Sequence, residues 1–355
     1  MSPLPSCVDY ITSIETPQLL KAKELQGGCV VMKNGKPLRY AGGFCVVFPY
    51  QLASGKKVAI RCWTAHVSDA DKRSCQISIQ LKSSKLPYFV GFEYIPQGIV
   101  TASGVFPIVL MDWLEAIPLK DYIKKHLNNY NALIELADNF MQMSKDLHKV
   151  GFSHGDLQHG NIMIDSDGHL YLVDYDSMFV PGLEGVNDEI KGLSGYQHPG
   201  RNKLKYLSPQ SDYFSELIIY TSILAIAKHP HLWSELDIED TEALVFNQED
   251  LDYPRRSSIF TKLKSDASLL PCVEAIENAL QESDIEQLLP LEKAIIPIST
   301  KIAEELQEKW RTRSVPGIEQ KPVDISGIKS KWEKKSNKTT IESLDVSSVT
   351  VKWKK

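Results

Sequence analysis

The sequence predicts an α+β chain of two lobes, a small β-rich one followed by a larger helical one. Three observations carry this. Strand-like runs separated by turn residues fill the first third, and after Pro118 apolar residues recur at helical spacing. Between the two lies a hinge, Met111 to Leu114. The chain has 355 residues, 43% hydrophobic and 24% charged, which is ordinary globular composition with room for a sizeable core.

The elements follow in order. "GGFCVVFPYQLASGKKVAIRCW" holds two strand-like runs around the turn signal Ser54-Gly55-Lys56. "SDADKRSCQISIQLKSS" forms one helix, with Ser68 or Asp69 as N-cap. "LPYFVGFEYI" and "FPIVLMDWL" are two more strands. "LKDYIKKHL" and "YNALIELADNFMQMSKDLHKVG" are helices, and Gly151 stops the second. A hairpin follows, "NIMID", then a turn at Ser166-Asp167-Gly168, then "LYLVD". The rest is mostly helical to about Trp310. The apolar run Leu217 to Ala227 is too short to span a bilayer and reads as a helix buried on all sides. The expected partition is an extension over 1–34, a first lobe over 35–114, a second over 115–311 and a basic tail over 312–355.

A net charge of −5 and a pI near 6.0 argue against general attraction to nucleic acid. Six scattered cysteines form no CxxC pair, which suits reduced thiols and gives no support to zinc. The start, "MSPLPSCVDYIT", lacks a basic region followed by an apolar run, so no signal peptide and a cytoplasmic location are expected. Between Lys321 and Lys355 nine lysines face four acids, with tryptophans interleaved. Such a stretch suits a nucleic acid, an anionic membrane or another partner; the bland alternative is a solvated tail docking a tryptophan on its own domain.

Four motifs stand in a telling order. They are "HGDLQHGN" (154–161) after the long helix, "LVDYD" (172–176) after the hairpin, "GYQHP" (195–199) and "SDYFSE" (211–216). With them the chain resembles the protein-kinase-like superfamily over roughly residues 35 to 310. In "VDYDSMFVP" and "YQHPGR" it is closest to bacterial serine/threonine-kinase-like proteins. The resemblance implies the bilobal kinase-like fold, with ATP and Mg²⁺ (or Mn²⁺) between the lobes. Phosphoryl transfer needs phosphate charge neutralised and a hydroxyl aimed in line. Asp156 sits where the base that accepts the hydroxyl proton is expected. Asn161 and Asp174 supply hard oxygen ligands for the metals. Singly each has a bland reading: Asp156 as a turn residue, Asn161 as an Asx-turn, Asp174 as a strand end. By the same resemblance His154 orients the loop, His159 is a loop side chain, and Asp212 braces the loop backbone, unless it is an ordinary N-cap.

The nucleotide contacts implied are Val46 and Ala59 as roof, Met111 at the back, and the backbone of Asp112, Trp113 and Leu114 on the base edge. Several positions depart from the family pattern. Arg61 stands for the lysine that reaches the α- and β-phosphates; it keeps the charge, or it pairs a surface acid. The helix carries no glutamate to pair with it, leaving Gln76 or Gln80 to touch it. Gly42 and Gly43 in "YAGGF" are a thin glycine loop, or merely a hairpin turn. Gly155 replaces an arginine, Gln158 a lysine, and Gly200-Arg201 a glutamate. Asp176 replaces a glycine; it adds a carboxylate near the metals or stiffens the turn.

These features leave three readings. The segment from Ser177 to Pro199 and the helix opening "SDYFSE" resemble peptide-docking parts, favouring a protein serine or threonine as acceptor. "HGDL" without the lysine resembles aminoglycoside and choline phosphotransferases. The departures suit a pseudokinase acting as a binding module.

Overall fold

The N-terminal segment opens on a capping box. Ser6 and Asp9 satisfy each other's backbone amides and start helix α1, Cys7–Ile14. The computed structural model describes residues 4–296. The expected boundary at 311 and the basic tail lie outside them.

The chain is mixed α/β with an antiparallel sheet. Strands β1 (Cys45–Gln51) and β2 (Lys57–Trp63) form the expected hairpin, turned at Gly55, whose φ of +86° favours glycine. β3 (Phe92–Thr101) and β4 (Gly104–Asp112) form a second hairpin. The order across the sheet is Cys29–Val30, β1, β2, β4, β3, with Tyr40–Ala41 also pairing β1. β3 begins at Phe92, so Leu86–Gly91 is not strand as the sequence suggested. Helix α2 (Ala70–Ser84) follows β2. Asp69 is its N-cap residue, but at φ +56° its side chain makes no capping bond.

One face of the sheet buries Val46, Phe48, Ile60 and Ile108 with Tyr10, Ile14, Leu20 and Leu25. Each such side chain is worth about 1.5–3 kcal/mol by area, an upper bound because unfolded chains already bury some surface. Side chains between Tyr10 and Val30 therefore pack into this core. Tyr10 Oη donates to the Trp63 carbonyl (2.9 Å) and Tyr50 Oη to that of Leu25 (2.9 Å). An eight-residue helix and two-residue strands carry too little periodicity to announce this.

A second core holds the helices. After α3 (Leu119–Lys125) comes α4 (Tyr130–Val150), capped by Asn129 and ended by Gly151 at φ +72°. Its buried stripe, Leu133, Leu136, Ala137, Phe140, Met143 and Leu147, has helical spacing and packs on α5 (Tyr213–Lys228). α5 is buried on nearly every side, and among the described residues no helix is long and apolar enough to cross a membrane. Between them sits the hairpin of β5 (Ile162–Ile164) and β6 (Leu170–Leu172). The loop between α4 and β5 carries "HGDLQHGN", and the loop after β6 carries Asp174 and Asp176.

Candidate functional site

Gly155 shows why the first loop has its sequence. Its φ is +77°, and a Cβ there would lie 2.1 Å from the Ser177 carbonyl oxygen. No side chain fits, so the arginine common at this position is excluded by packing. The neighbouring amides are held by Asp212, whose carboxylate accepts from His154 N–H and from Gly155 N–H (2.9 Å). Asp212 makes no capping bond to its own helix; the bracing role is the one observed. His154 Nε2 lies 2.8 Å from the Val173 carbonyl, and its ring meets Tyr175 edge-on. His159 bonds Tyr196 Oη at 2.7 Å within the protein.

Asp156 and Asn161 come together. Asn161 Nδ2 donates to the Asp156 carbonyl (2.8 Å) and carboxylate (3.2 Å), which leaves its Oδ1 as the acceptor. The other Asp156 oxygen accepts from Leu193 N–H at 2.8 Å. Burial raises the pKa of Asp156, opposed by the Leu193 amide.

Asp174 stands at φ +66°, a left-handed conformation that costs a non-glycine residue about 1–2 kcal/mol. That turn opens its carboxylate onto a cleft, with 57% of the side chain exposed. Enclosure by the cleft walls and the nearby charge of Asp176 raise its pKa. A cation there would relieve that crowding. The Asp174 carboxylate and Asn161 Oδ1 are both hard oxygen donors, the kind that fits Mg²⁺.

Arg61 lies at the back of the cleft, its side chain only 6% exposed. It is not a surface residue pairing a surface acid. It pairs Asp176 directly and lies 3.9 Å from Asp174, while its Nε donates to Cys45 Sγ (3.1 Å). Burial disfavours its charge, but Asp176 together with Cys45 and Asp174 more than offsets this and keeps it cationic. The missing partner acid therefore exists, on the loop after β6 instead of on α2. Gln76 and Gln80 do not touch Arg61; both donate to the Pro181 carbonyl, at 2.6 and 3.2 Å. α2 contributes the buried Arg73, which donates to the carbonyls of Asp176 and of Asn187 (3.4 Å).

The cleft has a volume of about 460 Å³, a size suited to a small ligand. Ala59, Met111, Asp112, Trp113, Leu114 and Gly42 line it as expected, with Met163 and Val173 opposite. Val46 does not line it. Strand alternation turns Val46 into the core, fully buried, and places Val47 on the cleft. Gly43 also lies off the cleft, and the Gly42 amide donates to the Cys45 carbonyl (2.9 Å), closing a tight turn. The glycines thus make a hairpin turn rather than a deep cradle. Trp113 is held by Tyr40 (centroids 6.3 Å apart) and by Lys57 Nζ, 3.9 Å over its ring. The Asp112 and Trp113 amides bond Gly91 (3.0 Å) and Lys57 (3.4 Å).

Residues 92–180 match the family model of the ABC1 atypical kinase-like domain. Over these residues the chain is similar to a kinase-like domain. The match covers about a quarter of its length and includes Asp156, Asn161, Asp174 and Asp176, but not Arg61 or "GYQHP". No curated protein matches the chain.

Proposed function

We propose that this is a bilobal, ATP- and Mg²⁺-dependent phosphotransferase that moves the γ-phosphate to a hydroxyl, most simply a serine or threonine of a protein. The sheet with residues 4–34 would be the small lobe, and the helical part from 115 the large one. The observation that carries the reading is the pairing of Asp156 with Asn161 in one loop, beside a cleft that Asp174 and the buried Arg61 line together.

Each residue then has a task. Leu114 and its neighbours meet the base edge, with Ala59 and Val47 above and Met163 and Val173 below. Arg61 faces the phosphates with a charge that cannot be lost at working pH. Asn161 Oδ1 and the Asp174 carboxylate hold Mg²⁺, which when bound neutralises phosphate charge. Asp156 accepts the hydroxyl proton. Its raised pKa brings it nearer to neutral, the direction a general base needs. Its bonds to Leu193 and Asn161 fix its aim.

A protein acceptor is supported by the segment over Asp156, whose Leu193 amide contacts the base directly. Six free cysteines support a reducing compartment such as the cytoplasm. Two observations favour the pseudokinase reading: Asp176 already neutralises Arg61, and the Gly42 amide is used within its turn. Transfer from γ-labelled ATP to protein acceptors, to the chain itself and to aminoglycosides decides among the readings. Label on protein that Asp156→Ala removes supports the kinase; label only on the aminoglycoside moves the acceptor class. Nucleotide binding with no label anywhere leaves a binding module.

A further inference from the structure

Asp188 and Arg201 lie in stretches to which the motifs give no chemical role. Both are buried: the Asp188 side chain is wholly so and that of Arg201 is 2% exposed. Arg201 grips Asp188 with both ends of its fork, Nη1 to Oδ2 at 2.6 Å and Nη2 to Oδ1 at 3.1 Å. The same Nη2 donates to the Gly155 carbonyl (3.1 Å), and Nη1 donates to Ser211 Oγ (2.9 Å). Lys191 adds a second cation to Asp188 at 3.0 Å.

The Gly155 carbonyl belongs to the peptide that leads directly into Asp156. Asp212 holds the Gly155 N–H and Arg201 holds the Gly155 carbonyl, so both backbone groups of the residue before Asp156 are fixed. The neighbour of Asp188, Asn187, receives Arg73 from α2, and Arg73 also holds the Asp176 carbonyl. A continuous chain thus runs from Arg61 through Asp176, Arg73, Asn187–Asp188 and Arg201 to Gly155. Buried ion pairs are a poor source of stability because desolvation offsets their attraction, whereas they do fix geometry. Loop phosphates are commonly held by an arginine fork of this kind. Here the fork is already filled by a permanent carboxylate.

We propose that Asp188 and Arg201 are positioning residues, a fixed-charge clasp that aims Asp156 and holds the 177–199 segment in its working shape with no phosphate on it. This rests on the phosphotransfer reading. The test uses the full chain, unmodified by intact mass, as wild type, Asp188→Asn and Arg201→Lys. Both substitutions keep size and differ in charge or fork. Initial rates with MgATP give kcat and KM, and hydrogen exchange reports the amides of residues 154–157. Phosphatase treatment leaves wild-type transfer unchanged. Both variants bind MgATP within about twofold of wild type, lose about tenfold to a hundredfold in kcat, and exchange 154–157 faster. Unchanged kcat in both folded variants, or wild-type activity that depends on a phosphate, overturns the clasp. Should wild type bind nucleotide yet transfer nothing, the phosphotransfer reading falls by itself. Exchange then decides the clasp: faster exchange in the variants keeps it as a holder of the loop, and unchanged exchange removes it. If Asp188→Asn fails to fold, the same comparisons are made on Arg201→Lys.

Discussion

Asp176 closes on the guanidinium of Arg61, beside the cleft that Arg61 and Asp174 line. The acid comes from the loop after β6, two residues past Asp174. Helix α2, which the family resemblance expects to bring an acid, brings the cation Arg73 to the same loop instead. Arg61 is therefore tied to the loop that carries Asp174.

Removing one partner of this pair exposes its cost. Asp176→Ala leaves a buried guanidinium with only the more distant Asp174 and Cys45, and stability falls by about 3 kcal/mol. Because Asp176 is partly exposed, with 19% of its side chain accessible, solvent lowers that figure toward the small end of the range. Chemical denaturation of Arg61→Met, Asp176→Ala and the double variant measures the coupling. A double variant that loses the full sum of the two single losses would show that the residues do not interact.

Asp174 and Asp156 separate binding from transfer. Asp174→Ala removes the carboxylate that opens onto the cleft, and Mg²⁺-dependent ATP binding drops below detection by calorimetry. Asp156→Ala keeps binding within a few-fold and lowers transfer by about 10² to 10⁴, the usual worth of a general base. Tight Mg²⁺-dependent binding by Asp174→Ala contradicts the metal assignment.

Gly155→Ala tests the packing of the loop. The alanine would need φ near +77° and would meet the Ser177 carbonyl at 2.1 Å. The left-handed backbone alone costs about 1–2 kcal/mol, and the clash adds to it. A thermal melt within a degree of wild type would show that Ser177 yields without cost.

Hairpins, long helices and the order of the motifs were readable because they are local. Ser54–Lys56, Gly151 and Ser166–Gly168 carry their own turn chemistry, and α4 repeats its apolar stripe over about four turns. That Asp156 and Asn161 share one loop and Asp174 follows the next hairpin was readable because sequence spacing alone fixes it. Arg61–Asp176, Arg73 and Asp188–Arg201 were not, since each joins residues far apart in sequence and an isolated charge does not name its partner. The error at Val46 was one of register: a shift of one residue along a strand exchanges the core face for the cleft face. A strict inside–outside count from Phe48, buried in the core, would have placed Val47 on the cleft.

A pH dependence is built in away from the cleft. His148 of α4 bridges two acids, Nε2 to Glu216 of α5 (3.0 Å) and Nδ1 to Glu292 (3.1 Å). Glu216 is fully buried, and that burial raises its pKa to about 7, against the opposing pull of His148. Burial works against a charged His148, but the two glutamates outweigh it and raise its pKa above the usual histidine value. Both shifts have the same sign: the folded state binds more protons than the unfolded one. Stability therefore falls as pH rises, first from about 4.5, where Glu216 would ionise in the unfolded chain, to about 7, and further as His148 passes its own raised pKa. Glu216→Gln removes the buried acid and flattens the slope between 4.5 and 7. Urea unfolding of wild type and Glu216→Gln at several pH values measures this. Equal slopes in the two proteins would show that the triad carries no linked proton.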